Sequence, residues 1–319
     1  MASSAVPAAE PTIAERLEKV VAELLGVAVT AVRPLQPEAS TGRAFAITLG
    51  DGRAVVAKLS QPGHSVAPMA RNLEVLGGLG VPAPRVLGAG SWDGDPAREV
   101  LVMSRLPGRD LRQVMPVMTR GQLSVLAREV IGIQGVVAGL PVHGDCGYVA
   151  IGEPGRRSWL DVVRHPNSHR YADPLPPDTV TLAPRLWQLI DAAAEHLARV
   201  RPVCFLDDLT TKNVLIDGGR LSGVVDFDWI CQGDPRFHLG LTAAAVVTVE
   251  HARWGGHYVS ELVRAAGLAA EDQRFIDLYT ALFLINFLAA EHPHRPGPWR
   301  ARAAQVAHAA LDRATAFFG

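Results

Sequence analysis

Apolar residues first recur at helical spacing at Ile13, Leu17, Val20, Val21, Leu24 and Leu25. Thr12 and Glu15 stand at capping-box separation before them and Gly26 follows, so the pattern predicts a helix that starts at Thr12 and stops at the glycine. The period then shortens to two. Phe45, Ile47 and Leu49 share one face of Arg43–Leu49, Arg53–Leu59 is rich in valine, and Gly50-Asp51-Gly52 joins the two as a hairpin. Lys58 falls near the end of the second strand. A helical stretch over 67–79 ends in glycines, and GVPAPRVLGAG leads into another β pair that closes with Glu99–Leu106. Strands, one helix and further strands predict an antiparallel sheet with a helix packed on it.

Pro107 and Gly108 break the chain, and the pattern after them is mostly helical. Helices are predicted over 119–137, 182–200, 235–250, 254–266 and 271–290, with a proline-rich loop at 174–184. Between the second and third lies a hairpin: Asn213–Ile216, the turn Gly218-Gly219, and Leu221–Phe227. The organisation is α+β. Residues 1–11 form a lead-in of small residues and prolines, 12–105 a sheet-bearing lobe, and 106–319 a helical lobe.

With 48% hydrophobic and 20% charged residues, 319 residues can bury a large core. A net charge of −1 gives no electrostatic reason to expect nucleic acid or an anionic membrane as the main partner. The most apolar runs, 239–249 and 281–290, are too short to cross a bilayer. Cys146, Cys204 and Cys231 are widely separated and form no CxxC pair, which reads as free thiols in a reducing cytosol and a cytoplasmic protein. MASSAVPAAEP lacks the basic start and apolar stretch of a secretory signal.

The chemistry concentrates in CFLDDLTTKNVLIDGGRLSGVVDFDW, residues 204–229. Asp208 is followed five residues later by Asn213, and Asp226 comes after the hairpin. Phosphoryl transfer asks for a hydroxyl aligned with the γ-phosphorus and for Mg²⁺ to neutralise phosphate charge. A carboxylate at Asp208 accepts a hydrogen bond from the incoming hydroxyl. The amide oxygen of Asn213 and the carboxylate of Asp226 are hard oxygen ligands of the kind Mg²⁺ takes. The Gly-Gly hairpin returns Asp226 to the loop that carries the other two.

The run D-L-x-x-x-N-V-L-I followed by V-V-D-F-D resembles the catalytic and metal-binding loops of the aminoglycoside phosphotransferase family, relatives of the protein kinases. RAVVAK, residues 53–58, resembles the strand with the nucleotide-binding lysine. GVPAPRVLG and VLVMSRLPGRDLR resemble the segments into and through the inter-lobe hinge, and Gly233-Asp234-Pro235 resembles the turn after the metal-binding loop. The resemblance spans roughly residues 33–240. It implies a bilobal protein-kinase-like fold with a small antiparallel-sheet N-lobe, a helical C-lobe and a nucleotide between them. It further implies Asp208 as catalytic base, Asn213 and Asp226 on Mg²⁺, and Lys58 on the α/β-phosphates of ATP, with GTP left open. The loop at Ser40, Thr41 and Gly42 would cover those phosphates. Glu74 is the acid nearest the position that pairs with the lysine, although the register places Asn72 there.

The chain departs from the family pattern in three places. Leu206 stands where the family commonly has an orienting histidine, Asp207 replaces a usual glycine, and the phosphate loop holds one glycine. His143-Gly144-Asp145 spells the family's catalytic triplet more closely, yet Ala150 rather than asparagine stands five residues after Asp145. That triplet is assigned no catalysis. The expected acceptor is a hydroxyl of a small molecule, first an antibiotic, then a choline-like or homoserine-like metabolite. A nucleotide-binding scaffold without transferase activity is the rival from another class. Oligomeric state is open.

Overall fold

The first helix, α1 (Ile13–Leu25), is closed at both ends by its own sequence. Thr12 accepts from the Glu15 amide while the Glu15 carboxylate accepts from the Thr12 amide at 2.7 Å, and Gly26 ends the helix at φ 66°. The fold is seen in a computed structural model that describes residues 12–35, 43–92, 95, 97–164, 176–247, 254–289 and 297–318. Ser40, Thr41 and Gly42, expected over the phosphates, lie outside the described residues.

The chain divides into two compact units. The first comprises Met1–Gly77 and Pro84–Leu106. After α1 come β1 (Val29–Pro34), β2 (Arg43–Leu49), β3 (Ala54–Leu59), α2 (Ala67–Gly78), β4 (Val86–Ser91) and β5 (Glu99–Ser104). The strands form one antiparallel sheet in the order β1-β2-β3-β5-β4. Alternation along β3 puts Val55, Ala57 and Leu59 on the face that α1 covers with Leu17, Val20 and Val21. Lys58 therefore points to the opposite face, paired in register with Ala44 on β2 and Leu101 on β5.

Gly78–Ala83, a stretch the sequence pattern assigns to the first lobe, belongs to the second unit. There the Pro82 carbonyl accepts from the Val224 amide at 2.9 Å. The second unit continues with Pro107–Gly319. It opens with β6 (Arg109–Asp110), α3 (Leu111–Val114), α4 (Arg120–Ala138), β7 (Gly147–Val149) and α5 (Trp159–Arg164). Next come α6 (Leu182–Ala192), α7 (Ala194–Ala198), β8 (Val203–Phe205), β9 (Val214–Asp217), β10 (Arg220–Val224) and β11 (Ile230–Gly233). The chain ends with α8 (Arg236–Val247), α9 (Gly255–Ala265), α10 (Gln273–Ala289) and α11 (Gly297–Phe318).

Two small sheets, β10-β9-β6 and β7-β11-β8, hold the chemistry-bearing loops. The first depends on Gly108 at φ 98°, where a Cβ would come within 2.5 Å of the Ile216 carbonyl oxygen, closer than any side chain allows. The helical core centres on α10, buried along nearly all its length, with α8 and α11 against it. Trp159 is buried there among Phe205, Phe237 and Tyr279, and donates to the Tyr279 hydroxyl at 2.8 Å. Among the described residues, no helix is long and apolar enough to cross a membrane.

Candidate active site

Strand β8 ends at Phe205, and the chain runs through Leu206, Asp207 and Asp208 to Asn213 before it re-enters the sheet as β9. Two anchors set this loop. Gln134 on α4 brackets the peptide groups of Leu206: its side-chain oxygen accepts from the Leu206 amide at 2.9 Å, and its nitrogen donates to the Leu206 carbonyl at 2.8 Å. At the far end, Arg112 donates its backbone N–H to the Thr211 carbonyl at 3.0 Å. Thr210 and Thr211 are buried, so the segment is held by packing as well as by hydrogen bonds.

Within the loop, Asp208 and Asn213 meet directly. The Asn213 amide nitrogen donates to the Asp208 carbonyl at 2.8 Å, which orients the side chain and leaves its oxygen as the acceptor. The Asn213 carbonyl in turn accepts from the Val225 amide at 3.0 Å, pinning the return strand beside the loop. Asp226 is the next residue. It has φ 73°, the one positive φ outside glycine among the described residues, and its side chain is exposed. Such backbone costs on the order of 1 kcal/mol or more and persists where neighbours over-determine it. Aspartate is among the few residues that tolerate it.

The Asp208 carboxylate accepts from Thr210 at 3.0 Å and pairs with the Lys212 ammonium at 2.8 Å. Burial raises its pKa above the ordinary carboxylate value, the charge of Asp226 adds to that, and Lys212 opposes it. Asp226 is therefore within electrostatic reach of Asp208. The structure thus brings Asp208, Asn213 and Asp226 together in one loop-and-hairpin.

That donor set fits Mg²⁺. One carboxylate, one amide oxygen free of its own hydrogen bonds to the loop, and a local excess of negative charge match an ion that completes its shell with phosphate oxygens and water. Clusters of three or more His, Cys, Asp and Glu with metal-holding geometry do not occur among the described residues. A magnesium ion shared with a nucleotide does not require one. Bound there, it would supply neutralising charge to the phosphates.

Asp207, the residue in place of a glycine, turns toward β7, where the Tyr148 hydroxyl donates to its carboxylate. Burial and the neighbouring charge of Asp208 push Asp207 up to about 7. The folded value lies above the ordinary 3.8, so the folded chain binds this proton more tightly than the unfolded one. The resulting stabilisation is complete below 3.8 and is lost as pH rises through about 7. Asp207→Asn removes the loss, so the variant should gain Tm relative to the wild type between about pH 5 and pH 8. Thermal melts across that range check this, and a Tm difference independent of pH contradicts it.

The remaining expectations divide. Lys58 is half-buried on β3. On α2 the inward residues are Met69, Asn72, Leu73 and Leu76, while Glu74 is exposed. The helix therefore turns an amide, not a carboxylate, to the interior of its unit. The acid that does secure α2 is Glu99 on β5, which accepts from the Val66 amide at 2.7 Å and from the Ser65 hydroxyl at 2.9 Å. His143-Gly144-Asp145 lies where the chain bridges to Gly155, at which a Cβ would overlap the Asp145 carbonyl. His238 is buried with Nδ1 2.5 Å from the Pro235 carbonyl, and burial lowers it to about 4, so it is a neutral packed histidine. The three cysteines are buried thiols.

Gln134, the contact of Tyr148 with Asp207, and Lys212 escape a reading of the sequence. The first two reach the loop from 72 and 59 positions away, at no periodic separation. Lys212 does stand beside Asn213, and a charged residue inside the D-L-x-x-x-N run was the available signal.

A family model described as the phosphotransferase enzyme family matches residues 32–279. No curated protein sequence matches the chain significantly. Among solved structures, a thermostable mutant of the aminoglycoside phosphotransferase APH(4)-Ia, in ternary complex with ADP and hygromycin B, is similar with a TM-score of 0.68. It shares 18% identity over 93% of this chain and 98% of its own. A microcompartment-associated aminopropanol kinase is similar with a TM-score of 0.65 and 17% identity over 94% of this chain and 97% of its own. A putative fructosamine-3-kinase from Thermobifida fusca gives 0.60 and 22% over 93% and 98%. The fold is that of these kinases, and the chain belongs to the phosphotransferase enzyme family.

Proposed function

We propose that this protein transfers the γ-phosphate of ATP, with Mg²⁺, to a hydroxyl group of an antibiotic that carries little positive charge. The observation that carries the reading is the convergence of Asp208, Asn213 and Asp226 in one loop-and-hairpin. Asp208 orients the hydroxyl and takes up its proton, Asn213 and Asp226 hold the metal, and Lys58 binds the nucleotide's phosphates. Solved relatives in complex with ADP or AMP-PNP support a nucleotide as the donor. The cytoplasm, where ATP is abundant, is the matching location. A metabolite alcohol is the second reading, favoured by the similarity to aminopropanol and fructosamine kinases.

The charge of the acceptor is read from the surroundings of Tyr148, whose hydroxyl donates to Asp207. Tyr148 borders a cavity of about 570 Å³ that also has Glu153, Arg156 and Arg157 in its wall. Two cations against one carboxylate make poor surroundings for a polycation, which needs acids to replace its lost water. Incubation with labelled ATP and a panel of polycationic aminoglycosides, weakly charged hydroxylated antibiotics and small amino alcohols is the test. Phosphorylation should concentrate in the weakly charged antibiotics. Efficient modification confined to the aminoglycosides would overturn the acceptor class while leaving the chemistry intact.

A further inference from the structure

Lys212 is not needed for the metal-and-base arrangement described above, yet it sits at its centre. Its ammonium is 2.8 Å from Asp208 Oδ2. Asp226 and Asp207 are the other acids near that ammonium. The pair is also partly open, with 46% of the lysine side chain and 30% of the aspartate side chain exposed. An ion pair so accessible contributes little to stability, so holding the fold together does not account for it.

The backbone on either side of the lysine is fixed. The Thr211 carbonyl is held by the Arg112 amide and the Asn213 amide by the Thr210 carbonyl, both at 3.0 Å. The four-carbon stem of Lys212 is therefore the movable part. A hydroxyl accepted by Asp208 lies about 2.7 Å from the carboxylate, and the phosphorus it attacks about 3–3.5 Å further on. A phosphoryl group at that distance from Asp208 would lie within the sweep of a four-carbon stem whose ammonium now rests on the same carboxylate.

We infer that Lys212 is a second catalytic residue, which leaves Asp208 to clamp the terminal phosphoryl group of the bound nucleoside triphosphate. The inference rests on the proposed phosphotransfer. The acceptor oxygen forms a bond to the γ-phosphorus, the bond from that phosphorus to the β,γ-bridging oxygen breaks, and ADP leaves with the electron pair. The hydroxyl proton passes to Asp208. In this sequence Lys212 has two tasks. Its departure opens Asp208 Oδ2 to the hydroxyl, and its arrival neutralises charge on the phosphoryl oxygens, where a positioned donor has its largest effect.

The test pairs binding with turnover. Calorimetry with ADP and with the non-hydrolysable triphosphate AMP-PNP, in the presence of Mg²⁺, is run on the wild type, Lys212→Met and Lys212→Arg. Lys212→Met should lose about tenfold in the preference for AMP-PNP over ADP, with ADP affinity unchanged, and should lower kcat by about 10²-fold. Lys212→Arg should recover part of both. A merely structural lysine would lower Tm and leave the AMP-PNP to ADP ratio as in the wild type. An unchanged ratio with turnover within threefold of wild type overturns the inference. A wild type that binds neither nucleotide overturns the phosphotransfer reading itself, a failure visible before any variant is made.

Discussion

Asp208→Asn should lower kcat by about 10²-fold or more and leave nucleotide affinity nearly unchanged. Asparagine retains the size of the side chain and an oxygen for the Thr210 hydroxyl, which the aspartate accepts at 3.0 Å. It loses the negative charge that draws the proton from an incoming hydroxyl. The loss should appear in turnover because that charge matters once the hydroxyl begins to attack. Steady-state kinetics on the preferred acceptor, with AMP-PNP binding measured in parallel, check it. A variant that keeps more than a third of wild-type turnover removes Asp208 from the role. Asp145→Asn is the matched control and should be nearly silent, since Asp145 is exposed and its backbone is engaged by Gly155.

The second large effect belongs to Asp226. Mg²⁺ and ATP together should raise the Tm of the wild type, because a ligand at one hundred times its Kd stabilises the folded state by about 2.7 kcal/mol. Asp226→Ala should abolish the magnesium-dependent part of that rise and reduce turnover by at least about 10²-fold. Alanine is less tolerant of the left-handed backbone at φ 73°, so Asp226→Asn is the companion variant. Asparagine accepts that conformation while lacking the charge, and it should lose most of the magnesium effect. Thermal melts with ATP, with and without Mg²⁺, decide the matter. A magnesium-dependent shift that survives in both variants places the metal elsewhere.

Much of this was legible because it is local. The α1 capping box, the β2–β3 hairpin and the Asp208-to-Asn213 spacing each lie within a few residues, where a sequence pattern and its physical cause coincide. The five-residue separation even carries its own contact, the Asn213 amide on the Asp208 carbonyl. What was hidden is non-local or faint in hydropathy. Strands β7, β8 and β11 are three or four residues long and are defined by pairing with one another across the chain. Helix α11 packs through Ala303, Ala307, Ala310 and Ala314, with Leu311 its one large buried residue, so no strong apolar stripe announces it. On α2 the helical register and the structure agree in turning Asn72 inward, while Glu74, the nearest acid in sequence, is exposed. The left-handed turn at Asp226 follows from hydrogen bonds to Pro82 and Asn213 on the preceding two residues, and no pattern around Asp226 reveals them.

The Gln134 bracket around Leu206 changes what mutation can do at the entrance to the loop. Where an orienting side chain stands two positions before a catalytic aspartate, replacing that side chain removes the orientation. Here the oriented object is the main chain of residue 206, and every amino acid except proline supplies the same amide and carbonyl. Position 206 is thereby released from catalytic selection and constrained by packing alone, as its buried leucine illustrates. The burden has moved to residue 134, on a different element, where a side chain must present a donor and an acceptor at once. Variation tolerated at 206 and refused at 134 is the signature this arrangement would leave on relatives that share it.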